Sequence, residues 1–144
     1  MSDELFTLRP AAERDWDYLN SYTYAEGMDH LPSLENVTVA VNDADEAVGF
    51  IRISFGESGV AYVNPVVVHE SWRGYHVGQA LVDDAQAKYD ELRLVSRGSS
   101  KPFYDKLGFE CCSWDLIEEG VSEDCAHCTM TEECKPQPMR RITR

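Results

Sequence analysis

Basic side chains are scarce in this chain of 144 residues: 13 Lys and Arg stand against 26 Asp and Glu, a formal charge of −13. A surface of that sign repels a phosphate backbone, which excludes nucleic-acid binding as a main task, and it steers cationic small molecules such as amines. It serves solubility equally well. Long apolar runs are missing too; none approaches the roughly 20 residues that a membrane-spanning helix needs, so no membrane partner is expected. The opening MSDELFTLRP carries no cationic stretch, apolar stretch or small-residue cleavage site of a secretory signal, and the expected compartment is the cytoplasm. Proline and glycine number only 6 and 9, and no internal repeat or low-complexity tract is visible. Cysteine is absent before the last quarter, where Cys111, Cys112, Cys125, Cys128 and Cys134 form an odd set. Without a secretion signal these are expected as reduced thiols.

What is present, 43% hydrophobic and 27% charged, suits one globular domain over residues 1–144. Phe6-Thr7-Leu8-Arg9 alternates like a short strand that Pro10 stops. Trp16, Leu19 and either Tyr18 or Tyr22 recur at helical spacing from Asp15 onward, with Glu13 and Asp15 suiting a helix start. Residues 23–36 read as a loop or short second helix. From Val37 the pattern turns to β: VTVAV, the turn-forming NDADE, AVGFIRISF, then GESG and VAYVNPVVV, an antiparallel meander. Pro65 interrupts the third of these strands, Ala61 to Val68, and predicts a bulge or splayed edge where ladder pairing fails. Val77, Ala80, Leu81 and Ala85 then share one helical face opposite Asp83, Asp84, Gln86 and Lys88, a helix to about Tyr89. Leu92-Arg93-Leu94-Val95 is the next strand. Ser99 or Ser100 caps a short helix with Pro102 in its first turn and Gly108 at its end.

The stretch Val66-Val67-Val68-His69-Glu70-Ser71-Trp72-Arg73-Gly74-Tyr75-His76-Val77-Gly78-Gln79 carries the chemistry. A buried strand runs into a glycine-containing turn and then a helix, and free amides at a helix start converge with the positive end of its dipole into an anion site. Gly74 and Gly78 let a phosphate approach the backbone, and Arg73 fixes the loop or adds charge. The ending is not that of a P-loop, and the three glycines of a dinucleotide fingerprint are missing.

With Arg73-Gly74-Tyr75-His76-Val77-Gly78 followed downstream by Phe103-Tyr104-Asp105-Lys106-Leu107-Gly108-Phe109, the sequence resembles the GNAT family of N-acetyltransferases over roughly Phe6 to Phe109. The resemblance implies an α/β (α+β) fold with a mixed, mostly antiparallel sheet flanked by helices, one acetyltransferase-like domain, and acetyl-CoA as acyl donor. It implies that the backbone of Val66, Val67 and Val68 pairs with the pantetheine arm, and that amides from Gly74 through Tyr75, His76, Val77 and Gly78 to Gln79 hold the pyrophosphate. Tyr104 matches the acid that protonates the leaving thiolate. Glu70 is the site residue taken for the general base, with His69 and Tyr62 as further candidates, Asn64 acting only by positioning, and a water chain as the alternative. Glu26, Asp29 and His30 fall in the loop that shapes the acceptor pocket. The sequence departs from the family pattern at His76, where the motif has glycine, and at Arg97, where an Asn often stands.

The expected activity is transfer of acetyl from acetyl-CoA to a primary amine of an unidentified small molecule, peptide or protein by direct attack, with a homodimer as a possible assembly. The alternative is an acyl-CoA-binding sensor without turnover. Residues 111–136 form a Cys-rich segment before a last strand at Gln137 to Thr143. The Cys125-x-x-Cys128 pair with Cys134 offers three thiolates, and zinc wants four ligands, to which Cys111, Cys112 or His127 could add. Ordinary thiols are favoured over structural zinc or a disulfide, and no metal ligand set is assigned.

Overall fold

The computed structural model describes residues 6–25, 31, 33–56, 58–72, 75–96, 101–117 and 137–142. Glu26, Asp29, His30, Arg73, Gly74, Arg97, Ser99, Ser100, Cys125, Cys128 and Cys134 lie outside them. The chain divides into two compact units, Met1–Ile53 with Asn64–Asp84, and Ser54–Val63 with Ala85–Arg144.

The first unit opens with β1 (Thr7–Pro10), a 3-10 turn (Glu13–Asp15) and α1 (Trp16–Ala25). Then come β2 (Val37–Val41), β3 (Ala47–Phe55) and β4 (Ala61–Val68), a second 3-10 turn (Glu70–Trp72) and α2 (Val77–Lys88), the ends of β3 and α2 and the start of β4 belonging to the second unit. The strand order here is β1-β2-β3-β4, with β1/β2 and β2/β3 antiparallel. Its core joins Leu19 and Leu31 to Val37, Val39, Val41, Ala47, Phe50 and Val67, with Trp16 and Tyr22 packed at the margin. Tyr22, not Tyr18, therefore completes the apolar stripe of α1. On α2 the buried hydrophobic side chains are Val77, Leu81, Val82 and Ala85. Val82 replaces the expected Ala80, because the stripe drifts round a helix of 3.6 residues per turn.

Two polar residues of α1 enter this core with partners. The Thr23 hydroxyl donates to the Asn20 carbonyl at 3.0 Å, and Asn20 Oδ1 accepts the Leu31 amide at 2.8 Å. Asp15 does more than favour a helix start. It is 1% exposed, takes both Arg9 Nη atoms at 2.7 and 2.9 Å, and accepts the Ala12 amide at 2.8 Å. Arg9 Nε reaches on to Asp45 at 3.0 Å, tying β1 to the β2–β3 turn. Burial pulls the Asp15 carboxyl upward, but the Arg9 and Ala12 hydrogen bonds outweigh it and hold the group below the usual carboxylate range.

The second unit contains the first residues of β4, then β5 (Glu91–Ser96), α3 (Lys101–Lys106), β6 (Glu110–Cys111), a 3-10 turn (Trp114–Leu116) and β7 (Gln137–Ile142). Its strand order is β4-β5-β7-β6. β4 and β5, joined through α2, run parallel, as a helical crossover requires. β7 pairs antiparallel with β5 along six residues and with β6 at Glu110↔Arg140 and Cys111↔Met139. The result is the expected mixed, mostly antiparallel arrangement with helices. Alternation is clean in β5, where Leu92, Leu94 and Ser96 are buried and their neighbours are not. Gly108, at φ +91°, ends α3 as expected. Among the described residues no helix is long and apolar enough to cross a membrane.

Candidate active site

In the first unit the site is assembled by what happens at the ends of β3 and β4. The β2–β3 register slips between Ala40 and Val41, which face Gly49 and Ala47, so Val48 is a bulged residue. Its carbonyl accepts the His69 amide at 2.8 Å, anchoring the end of β4. The neighbouring Gly49 has no room for a side chain: an added Cβ would meet the Val67 carbonyl at 3.0 Å and Val77 Cγ1 at 3.2 Å. This glycine lets β4 and the start of α2 pack closely on β3. An isolated glycine inside a strand pattern is the sequence signal for such an approach.

Beyond β4 the chain reverses through the 3-10 turn. Ser71 sits against His69, its Oγ 2.7 Å from Nδ1 and its amide donating to the same nitrogen at 3.2 Å, so Nδ1 accepts. The imidazole meets Tyr22 edge-on at 5.5 Å. His69 is thus built into the turn, and the nitrogen a base would use is engaged. The Trp72 amide donates to the His69 carbonyl at 2.8 Å, and the Tyr75 amide to the Trp72 carbonyl at 3.3 Å.

His76 then takes φ +63°, the left-handed region, and its carbonyl accepts the Ala80 amide at 3.0 Å. It is the residue from which α2 springs. The amides of Val77, Gly78 and Gln79 occupy the first turn of α2, whose N–H groups have no acceptor within the helix itself. Val77 and Gly78 are buried and His76 is exposed. Gln79 Nε2 donates along the helix to Asp83 at 2.9 Å. Of the amides expected to grip an anion, those of Val77 to Gln79 share one helix end, whereas the Tyr75 amide is engaged by Trp72. Glu70 is exposed at the first position of the 3-10 turn.

Val66, Val67 and Val68 are buried on β4. The ladder from β4 to β5 registers at Ala61↔Leu92 and Tyr62↔Arg93, both ahead of Pro65. On its other side Arg52 Nη1 donates to the Asn64 carbonyl at 3.1 Å.

In the second unit, Tyr104 is buried on α3, its ring edge-on to Phe103 at 5.1 Å and to Phe109 at 5.7 Å. Its carbonyl accepts the amides of Leu107 and Phe109, each at 3.1 Å, which closes the helix. Tyr62 is fully buried and its hydroxyl donates to the Leu116 carbonyl at 3.3 Å, a structural engagement for that base candidate. Arg93 Nη1 donates to the same carbonyl at 2.6 Å and its Nε pairs with Glu91. Although burial works against the Arg93 charge, bonds to Glu91 and Tyr62 raise its proton affinity. Burial likewise pushes the Cys112 thiol up, against nearby Arg140 and Arg93. The cluster of Tyr62, Arg93 and the Leu116 carbonyl has no signal in the sequence, because it joins residues far apart in the chain, whereas the Gly49 approach is signalled only by the glycine itself.

Comparison with known proteins places this geometry. The family model described as an acetyltransferase (GNAT) domain matches residues 33–111, more than half of the chain. No curated protein matches the sequence. Among solved structures, N-acetylglutamate synthase from Neisseria gonorrhoeae, complexed with coenzyme A and N-acetyl-glutamate, shares 14% identity at a TM-score of 0.78, covering 99% of this chain and 36% of that one. The chain thus spans about a third of the length of the synthases it resembles. Ard1 from Thermoplasma volcanium shares 19% identity at 0.71, covering 98% and 99%. Arabidopsis thaliana Naa50, in complex with the bisubstrate analogue CoA-Ac-MVNAL, shares 17% at 0.65, covering 97% and 100%. At such identities the likeness is one of fold, and the family rests on the match to residues 33–111. With that match centred on the β4-to-α2 turn, the chain belongs to the acetyltransferase (GNAT) domain family.

Proposed function

We propose that the protein is an N-acetyltransferase that moves an acetyl group from acetyl-CoA to a primary amine. One observation supports this: His76, where the family motif has glycine, takes φ +63°, a left-handed conformation that glycine adopts most readily, and α2 starts directly after it, so a helix N-terminus stands where a diphosphate would bind. Amides of Val77, Gly78 and Gln79 would take the diphosphate oxygens, with Arg73 and Gly74 completing the loop. The β4 backbone at Val66 to Val68 would pair with the amides of the pantetheine arm. CoA-bound relatives of the same fold support the choice of donor.

The amine nitrogen attacks the thioester carbonyl carbon and the C=O π pair moves to oxygen. The tetrahedral oxyanion collapses, the C–S bond breaks, and the thiolate takes a proton from the Tyr104 hydroxyl. The ammonium first gives one proton to Glu70 or to water; the second proton, shed by the nitrogen as the tetrahedral intermediate collapses, returns through solvent to the Tyr104 phenolate, and the products are an amide, free CoA and one proton. The acceptor is either a small amino compound or a peptide N-terminus, since relatives carry both kinds of ligand; the acidic surface favours approach of either amine. A second reading, a binding module without turnover, is favoured by the imidazole of His76 at the helix start. Titration calorimetry with acetyl-CoA, followed by thiol release over a panel of small amines and peptides, separates the two. Binding with turnover of at least one amine is expected. Binding with no turnover for any amine gives the sensor, and no binding overturns both.

A further inference from the structure

We infer that Tyr75 serves the cofactor through its ring, as the platform on which the adenine of CoA stacks; this rests on the acetyl-CoA reading above. The Tyr75 amide is engaged by the Trp72 carbonyl at 3.3 Å and is not offered to a phosphate. The ring is 50% exposed, so core packing does not account for it. Yet the ring is held. Trp72 packs beside it with centroids 5.4 Å apart and planes at 53°, and Trp72 meets Phe6 edge-on at 6.4 Å and 89°. The three rings form a row that ends in a half-exposed aromatic surface, ordered before a ligand arrives, which lowers the entropic cost of stacking on it.

Position selects the occupant. Tyr75 directly precedes His76, from which α2 starts. A diphosphate on the first amides of α2 carries its adenosine one ribose away, and adenine is the only aromatic plane in CoA. With the diphosphate at the start of α2, the thioester would lie at the opposite end of the cofactor from the adenine, so the row would serve the nucleotide and not the reacting groups. Stacking also needs no charge complementarity, which suits a chain of formal charge −13.

Calorimetric titration of the full chain with CoA, and with 4′-phosphopantetheine, which lacks adenosine, tests the inference. Tyr75→Ala is expected to weaken CoA about tenfold, the size of one lost base–aromatic stack, and to leave 4′-phosphopantetheine unchanged. Tyr75→Phe, which keeps the ring, should bind CoA as the parent does. Unchanged CoA affinity in Tyr75→Ala overturns the inference, and so does an equal loss for both ligands, which would make Tyr75 a loop support. If the parent chain binds no CoA, the acetyl-CoA reading fails and the stacking platform falls with it.

Discussion

His76 holds a left-handed backbone that costs a side chain of this kind about 1 kcal/mol or more, and it does so at the residue that launches α2. Replacing it with glycine removes that strain and adds unfolded-state entropy that partly offsets the gain. His76→Gly is therefore expected to raise Tm by about 2–4 °C with CoA affinity retained, measured by calorimetry. A fall in affinity would instead give the imidazole a contact with the phosphates. Tyr104 poses a different question, because its ring is packed between Phe103 and Phe109 while its hydroxyl is the proposed acid. Tyr104→Phe keeps the packing and removes the proton. Steady-state kinetics should show kcat lowered by about 100-fold with CoA affinity unchanged; parallel losses of both would assign Tyr104 to packing alone. Both residues were legible as candidates from their motifs. Their surroundings were not, since Phe109 reaches Tyr104 only after Gly108 turns the chain back.

At the scale of elements, helices and strands followed their sequence patterns closely. The stripe of Val77, Leu81 and Ala85 and the alternation of Leu92 and Leu94 are consequences of local geometry, visible wherever one face is buried. The irregular pieces were less visible. The 3-10 turn Glu70–Trp72 is held by the His69 side chain and by the Val48 carbonyl from another strand, and no spacing in the sequence announces such partners. Gly49 illustrates the same point, because its need for glycine comes from Val67 and Val77. Gly49→Ala should destabilise the protein by about 1–3 kcal/mol, the usual result of overpacking, and weaken CoA binding by displacing β4 and the start of α2. Chemical denaturation beside a CoA titration checks both. A variant as stable as the parent and with full affinity would show that β3 and β4 can separate freely.

For the whole molecule, acid stability is the property most directly set by one buried group. Asp15 is held below its ordinary range by Arg9 and the Ala12 amide, so its contribution is present above the unfolded carboxylate value and is lost as pH falls through the folded one. Tm should be level near neutrality and fall below about pH 4. Asp15→Asn should cost about 3 kcal/mol at pH 7 by leaving Arg9 without its buried partner, and should flatten the acid side of the profile; an unchanged profile would move the acid sensitivity to other carboxylates. The sequence by itself determined the acidic balance, the order of strands and helices and the β4-to-α2 segment, because charge, hydrophobic period and turn residues act within a few positions of one another. Only the tertiary structure decided that Arg9, Asp15 and Asp45 form one network, that Gly49 admits two neighbouring segments, and that Tyr75 offers a ring instead of an amide. Those are meetings between residues distant in the chain or rotations of single peptide units, and they follow from packing rather than from any local pattern.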